Sequence, residues 1–181
     1  MQPYTSCHDI NDIILFGSSV KGKNNYQDID ILIIFTKTIN KDIEYALRKS
    51  IANSHITSIT QEEFALDTFR AKEGIFLEGI SLLTHKNISH SIGFDSFAFI
   101  QYDLQSLTKS QKVQFYYALQ GRNKNPGILQ THKGTRFADN TLLVTYNTIT
   151  PYKDFFAYWD IPITIIPSLI PQRLTHLLTP Q

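Results

Sequence analysis

Cysteine is almost absent from this chain: among 181 residues only Cys7 is one. That excludes an intrachain disulfide framework and fits a reducing compartment. A surplus of charge is also lacking, since 17 Lys+Arg stand against 16 Asp+Glu for a net +1. This balance excludes a generally polycationic nucleic-acid binder. The split is slightly uneven, with 9 Lys+Arg against 11 Asp+Glu in residues 1–91 and 8 against 5 in residues 92–181. Such a bias would suit an anionic partner for the second half. No apolar run is long. "IILF" (Ile13–Phe16) and "ILIIF" (Ile31–Phe35) fall far short of the roughly 20 residues that span a bilayer. The opening "MQPYTSCHD" has neither the basic start nor the apolar stretch of a signal peptide. No repeat or low-complexity tract is visible. These absences lead us to expect a soluble, cytoplasmic protein with no membrane partner.

What is present is enough apolar material for a real core, 42% of residues. Ile13–Phe16 reads as a strand ending in the Gly17-Ser18 turn, where Ser18 can cap a short helix. "KNNYQ" is loop by composition, and "DIDILIIF" (Asp28–Phe35) is a strand buried on both faces once past its aspartates. Asn40 caps a helix with Asp42 and Glu44 in its first turn and a stripe of Ile43, Ala46, Leu47 and Ile51. "HITSIT" (His55–Thr60) follows as a strand. Thr60 and Glu63 form a capping box for a helix reaching about Lys72, and "EGISLLT" is a turn with a short strand or helix end.

Asn87–Ser96 lacks periodicity and is read as a boundary. Beyond it the pattern starts afresh. "FAFIQYDL" is a strand, Thr108 and Gln111 make a second capping box, and "KVQFYYALQ" is a helix that Gly121 stops. "RNKNPGILQTHKGTRFADN" reads as basic loop, "TLLVTY" as a strand, Pro151 as the start of a helix, and "IPITIIP" as an edge strand. The expected organisation is an α/β domain with a mixed sheet over residues 8–86, a smaller α/β (α+β) module over 95–170, and a tail over 171–181.

The chemistry concentrates at one place. Alternation puts Asp28 and Asp30 on one face of their strand, with Cα atoms about 7 Å apart. Two adjacent carboxylates suit a hard cation such as Mg2+, which takes one or two of them and fills its octahedron with water and phosphate oxygens. Gly17 allows close backbone approach, and Ser18 lies at a helix start, where an anion is favoured. A phosphate cradle followed by a metal-binding carboxylate pair is what metal-assisted phosphoryl or nucleotidyl transfer requires.

Phe16-Gly17-Ser18, nine residues, then Asp28-Ile29-Asp30 resembles the signature of the nucleotidyltransferase superfamily typified by DNA polymerase beta. "GSSVKG" is similar to the "GS-x-x-x-G" of the minimal nucleotidyltransferases, with Lys21 in place of their usual arginine. "TSITQEEF…LEGISLLT" is similar to the later part of those small proteins. The resemblance covers roughly Ile10–Thr84. It implies catalytic, metal-binding roles for Asp28 and Asp30 with Mg2+ (or Mn2+), and nucleotide contacts from Gly17, Ser18 and Lys21. It also implies a nucleoside triphosphate substrate and an RNA or protein hydroxyl as acceptor. Active members carry a third carboxylate on a later strand. Here that position falls on "HITSIT", at Thr57 or Ser58, while Glu62 and Glu63 suit helix capping. A second reading therefore stands beside the enzyme: a catalytically degenerate member that binds nucleotide, RNA or a toxin–antitoxin or defence partner.

Arg122, Lys124, Lys133 and Arg136 could form a nucleic-acid backbone contact or simply a solvated loop. Tyr116, Tyr117, Phe155, Phe156, Tyr158 and Trp159 fall at helical spacings and are expected in the core. The six histidines show no metal-ligand spacing.

Overall fold

A strand of almost unbroken aliphatic residues needs cover on both faces, and Ile29–Phe35 obtains it. The computed structural model describes residues 9–20, 28–66 and 69–178. The side chains of Ser18 and Ser19 are not among what it describes, and Cys7 and Lys21 lie outside the described residues. The chain divides into two compact units, residues 1–92 and 93–181.

In the first unit β1 (Ile10–Phe16), β2 (Ile29–Phe35), β3 (Ser54–Thr60) and β4 (Ile80–Ser81) form a sheet in the order β3-β2-β1-β4. β2 runs antiparallel to β1 and parallel to β3, and β4 runs antiparallel to β1. The parallel pair needs a crossover, supplied by α1 (Lys41–Ser50). Asn40 starts α1 by accepting from the amides of Asp42 and Ile43. Glu44 then bridges Lys41 (3.0 Å) and Arg48 (2.9 Å) along the exposed side.

Alternation divides the β2 side chains between two cores. Ile31, Ile33 and Phe35 pack with Ile10, Ile13, Leu47 and Ile56 on one face. Leu32 and Ile34 pack with Ile14, Ile59, Ile75 and Ile88 on the other. The second face is covered by α2 (Gln61–Ala65), α3 (Lys72–Glu78) and α4 (Ile88–Ser91). The capping box of Thr60 and Glu63 is present, but its helix ends at Ala65 rather than near Lys72. Ile88 joins the first unit's core, so the aperiodic Asn87–Ser96 stretch holds a helical turn and the first residues of the next strand.

In the second unit β5 (Phe94–Tyr102) is followed by α5 (Lys109–Gln120), which starts at the Thr108–Gln111 capping box and stops at Gly121 with φ +94°. The stretch expected as basic loop is largely ordered. It holds the two-stranded ribbon β6 (Gly121–Arg122) and β7 (Asn125–Pro126), then α6 (Ile128–Thr131) and β8 (Thr135–Ala138). A Cβ on Gly127 would overlap the Gly121 backbone, so the base of the ribbon closes only with glycine there. β9 (Thr141–Thr145), α7 (Ile149–Tyr158) and β10 (Ile163–Pro171) complete the unit. Pro151 lies inside α7, two residues after its first.

All strand pairs of this second sheet are antiparallel, in the order β10-β5-β9-β8. Phe115 and Leu119 of α5 and Ile149, Tyr152 and Phe156 of α7 pack on one face, over Ala98, Ile100, Leu142 and Val144. Counted along the chain, the four strands stand 4-1-3-2 with both helices on one side, the ferredoxin-like split βαβ arrangement. Residues 172–177 are not a loose tail: they form a 3-10 turn, with Thr175 Oγ1 donating to Asp95 and the Gln172 amide to the Gly93 carbonyl.

Candidate active site

Three elements deliver polar groups to one end of the first sheet. β1 ends at Phe16, opposite Asp30, and the chain turns at Gly17 into a 3-10 turn over Gly17–Val20. Gly17 has φ +79°, a conformation that side chains disfavour. A Cβ there would overlap Asp30 Oδ2. The carboxylate of Asp30 therefore lies directly against the Gly17 backbone, and the Gly-Ser turn and the aspartate strand meet as the sequence motif requires. Asp28 sits exposed, one residue ahead of β2.

β3 brings a residue that the sequence reading passed over. The parallel register sets His55 opposite Asp30, and His55 Nδ1 lies 3.8 Å from Asp30 Oδ1. The side chains are 73% and 32% exposed, respectively, so both face solvent-accessible space. The same register separates the two positions considered for a third carboxylate. Thr57 stands opposite Leu32, on the face of Asp30, whereas Ser58 stands opposite Ile33 on the other face. The Ser58 hydroxyl is buried without a hydrogen-bond partner among the described residues. Glu63 is taken up by the capping box, and Glu62 is exposed on α2. Among the described residues no three His, Cys, Asp or Glu side chains are grouped to hold a cation.

A second missed residue approaches from α3. Glu78 is only 7% exposed, and its Oε1 accepts the Gly17 amide at 3.1 Å. Sixty-one positions separate the two in sequence. The link is the β1/β4 pairing, which sets Leu15 opposite Ile80 and so carries Glu78 to the level of Gly17.

The basic residues of the second unit are only partly brought together. Arg122 and Lys124 lie on the exposed β6/β7 ribbon, with the Arg122 guanidinium 4.4 Å from the Tyr117 ring centroid. Arg136 is committed elsewhere, pairing with Asp139 at 3.0 Å and lying 5.8 Å from the Tyr116 ring. Lys133 occupies a left-handed turn after α6. Of the aromatic residues expected in the core, Phe156 is fully buried, and Tyr116, Phe155 and Trp159 are partly buried against the core cluster it belongs to. Tyr117 and Tyr158 are not core: they are 42% and 85% exposed. They sit on the outer sides of α5 and α7, where helical spacing alone could not separate them from their buried neighbours.

Residues 6–75 match the family model of the nucleotidyltransferase domain. No curated protein and no solved structure gives a significant match to the chain. No helix among the described residues is long and apolar enough to cross a membrane.

Proposed function

Because residues 6–75 match the nucleotidyltransferase domain model, we propose that this protein transfers a nucleotidyl group from a nucleoside triphosphate to a hydroxyl of RNA or of a protein. The observation that carries the reading is the contact of the Asp30 carboxylate with the Gly17 turn. That contact sets the aspartate strand against the Gly-Ser turn, as a metal-bound triphosphate spanning the two would need. Asp28 and Asp30 are hard oxygen donors of the kind Mg2+ or Mn2+ selects, and their solvent-facing setting leaves room for water and phosphate oxygens. They would hold such an ion, which neutralises phosphate charge when bound. Gly17 and Ser18 would orient the triphosphate, and Lys21 would add a cation near it. The acceptor oxygen would bond to the α-phosphorus as the bond to pyrophosphate breaks, with the hydroxyl proton passing to solvent or a nearby base.

A second reading has its own support: the resemblance implies a third carboxylate on this strand, and of the two positions considered for it, the one on the aspartate face is Thr57. A non-catalytic member would bind nucleotide, RNA or a partner protein, including one of a toxin–antitoxin or defence pair, without turnover. Incubation with α-phosphate-labelled triphosphates, Mg2+ and either bulk RNA or the protein itself separates the two. Transfer of label by wild type and its loss in Asp28→Ala/Asp30→Ala establishes the enzyme. Nucleotide binding without transfer establishes the second reading, and labelling unchanged in the double variant contradicts the site.

A further inference from the structure

We propose that Glu78 is a positioning residue of the nucleotide site, fixing the Gly17 turn through its amide rather than touching the nucleotide. The proposal rests on the reading of Gly17–Val20 and Asp30 as that site. Three observations converge on it.

Glu78 is buried, and a carboxyl group is expensive to remove from water unless hydrogen bonds repay the cost. An apolar residue at the end of α3, beside Ile75 in the same core, would avoid that cost. One visible return on it is the bond from the Gly17 amide. That amide belongs to a residue at the point where β1 gives way to a turn, in a backbone conformation with φ +79°. Gly17 is thus gripped from two sides, by the Glu78 oxygen at its amide and by the Asp30 carboxylate against its Cα. A shift of Gly17 would move both the amides that follow it in the turn and the seat of Asp30.

The register makes the arrangement specific. Gly79 donates its own amide to the Ile75 carbonyl at 2.8 Å, ending α3, and Ile80 and Ser81 then pair with β1. Helix end and strand start together bring Glu78 level with Gly17. The bond joins the end of α3 to the first turn of the unit, so the cradle is set by a residue sixty-one positions along the chain.

The test compares Glu78→Gln, which keeps an acceptor oxygen, with Glu78→Leu, which has none. Glu78→Ala, which also lacks a side-chain acceptor and is smaller than leucine, serves as the second non-accepting variant should the leucine form fail to fold. Two quantities are read: hydrogen–deuterium exchange of the Gly17 amide, and calorimetric affinity for Mg2+ with ATP, GTP, CTP and UTP in turn. We expect Gly17 to stay protected in wild type and Glu78→Gln and to exchange much faster in the non-accepting variants. Affinity for the triphosphate that binds should fall about tenfold or more in those variants and within about threefold in Glu78→Gln, the size of one lost hydrogen bond to a charged group. Equal Gly17 exchange in all forms overturns the proposal. So does wild-type affinity in a variant whose Gly17 amide is exposed. If wild type binds none of the four nucleotides while Gly17 still follows Glu78, the nucleotide reading fails, and with it the claim that this turn serves a nucleotide.

Discussion

The two sheets of this protein use their strands differently. In the first unit β2 is wrapped on both faces, with Leu32, Ile33 and Phe35 fully buried, and its polar residues are confined to one end. Asp30, His55 and Glu78 reach that end from three separate elements and surround Gly17 or touch one another. In the second unit the sheet is covered by α5 and α7 on one face, and its cations lie on peripheral segments. There Arg136 is paired with Asp139, and Arg122 is stacked on Tyr117. A strand held rigid along its length can fix a carboxylate pair at its mouth. A ribbon with an exposed arginine resting on an aromatic ring offers a surface instead. Chemistry is therefore expected of the first unit and recognition of the second.

The largest effect should come from breaking one core and watching the other. Phe115 is fully buried among the aromatic residues of α7, 5.4 Å from the Phe155 ring centroid and 5.7 Å from that of Trp159. Phe115→Ala is expected to cost roughly 3–5 kcal/mol. Urea unfolding followed by Trp159 fluorescence should report that loss, while triphosphate affinity measured below the transition stays at the wild-type value. A matching fall in affinity would mean that the two units do not divide the work as described.

Gly17→Ala comes next. The left-handed backbone costs a side chain roughly 1–2 kcal/mol, and the new methyl would also displace the Asp30 carboxylate. Nucleotide affinity should fall by more than global stability does, read by calorimetry and denaturation on the same sample. An effect on stability alone would remove Gly17 from the site.

The smallest effect concerns Asp12, also on β1 but away from the aspartate end. Burial pushes its carboxyl above the ordinary value of 3.8, opposed by hydrogen bonds from Ser81 and the Ile13 amide. Between 3.8 and the raised value the folded chain holds more protons than the unfolded one, so the Asp12 contribution to stability falls as pH rises through that window. Asp12→Asn, which keeps an acceptor for Ser81, should gain on wild type between pH 4 and pH 7 in urea unfolding, with no change in nucleotide affinity. A stability difference that stays constant with pH would show that Asp12 does not titrate across that window.

The sequence made some of this legible and hid the rest for physical reasons. The meeting of Gly17 and Asp30 was readable because a strand, a turn and a returning strand are local, and the spacing of the two motifs encodes their pairing. His55 was not readable in the same way. Its place opposite Asp30 depends on the parallel register after the α1 crossover, and that register is set by packing of Leu47 and Ile56 rather than by local spacing. Glu78 was hidden further, since β4 is only two residues long and leaves almost no pattern. Both capping boxes, Thr60–Glu63 in the first unit and Thr108–Gln111 in the second, and the Gly121 stop were legible, being local hydrogen-bonding devices. The ribbon, α6 and β8 were not, because a polar stretch with glycine, asparagine and proline reads as loop even where backbone pairing orders it.

The most direct test of where the chemistry lies is a titration of the labelled protein with Mn2+ and a triphosphate, followed by paramagnetic broadening of backbone amide signals. Gly17, Asp30 and His55 are expected to broaden first, and Asp28→Ala/Asp30→Ala to abolish the effect. Broadening centred on the second unit, or unchanged in the double variant, would contradict the placement of the site at Gly17 and Asp30.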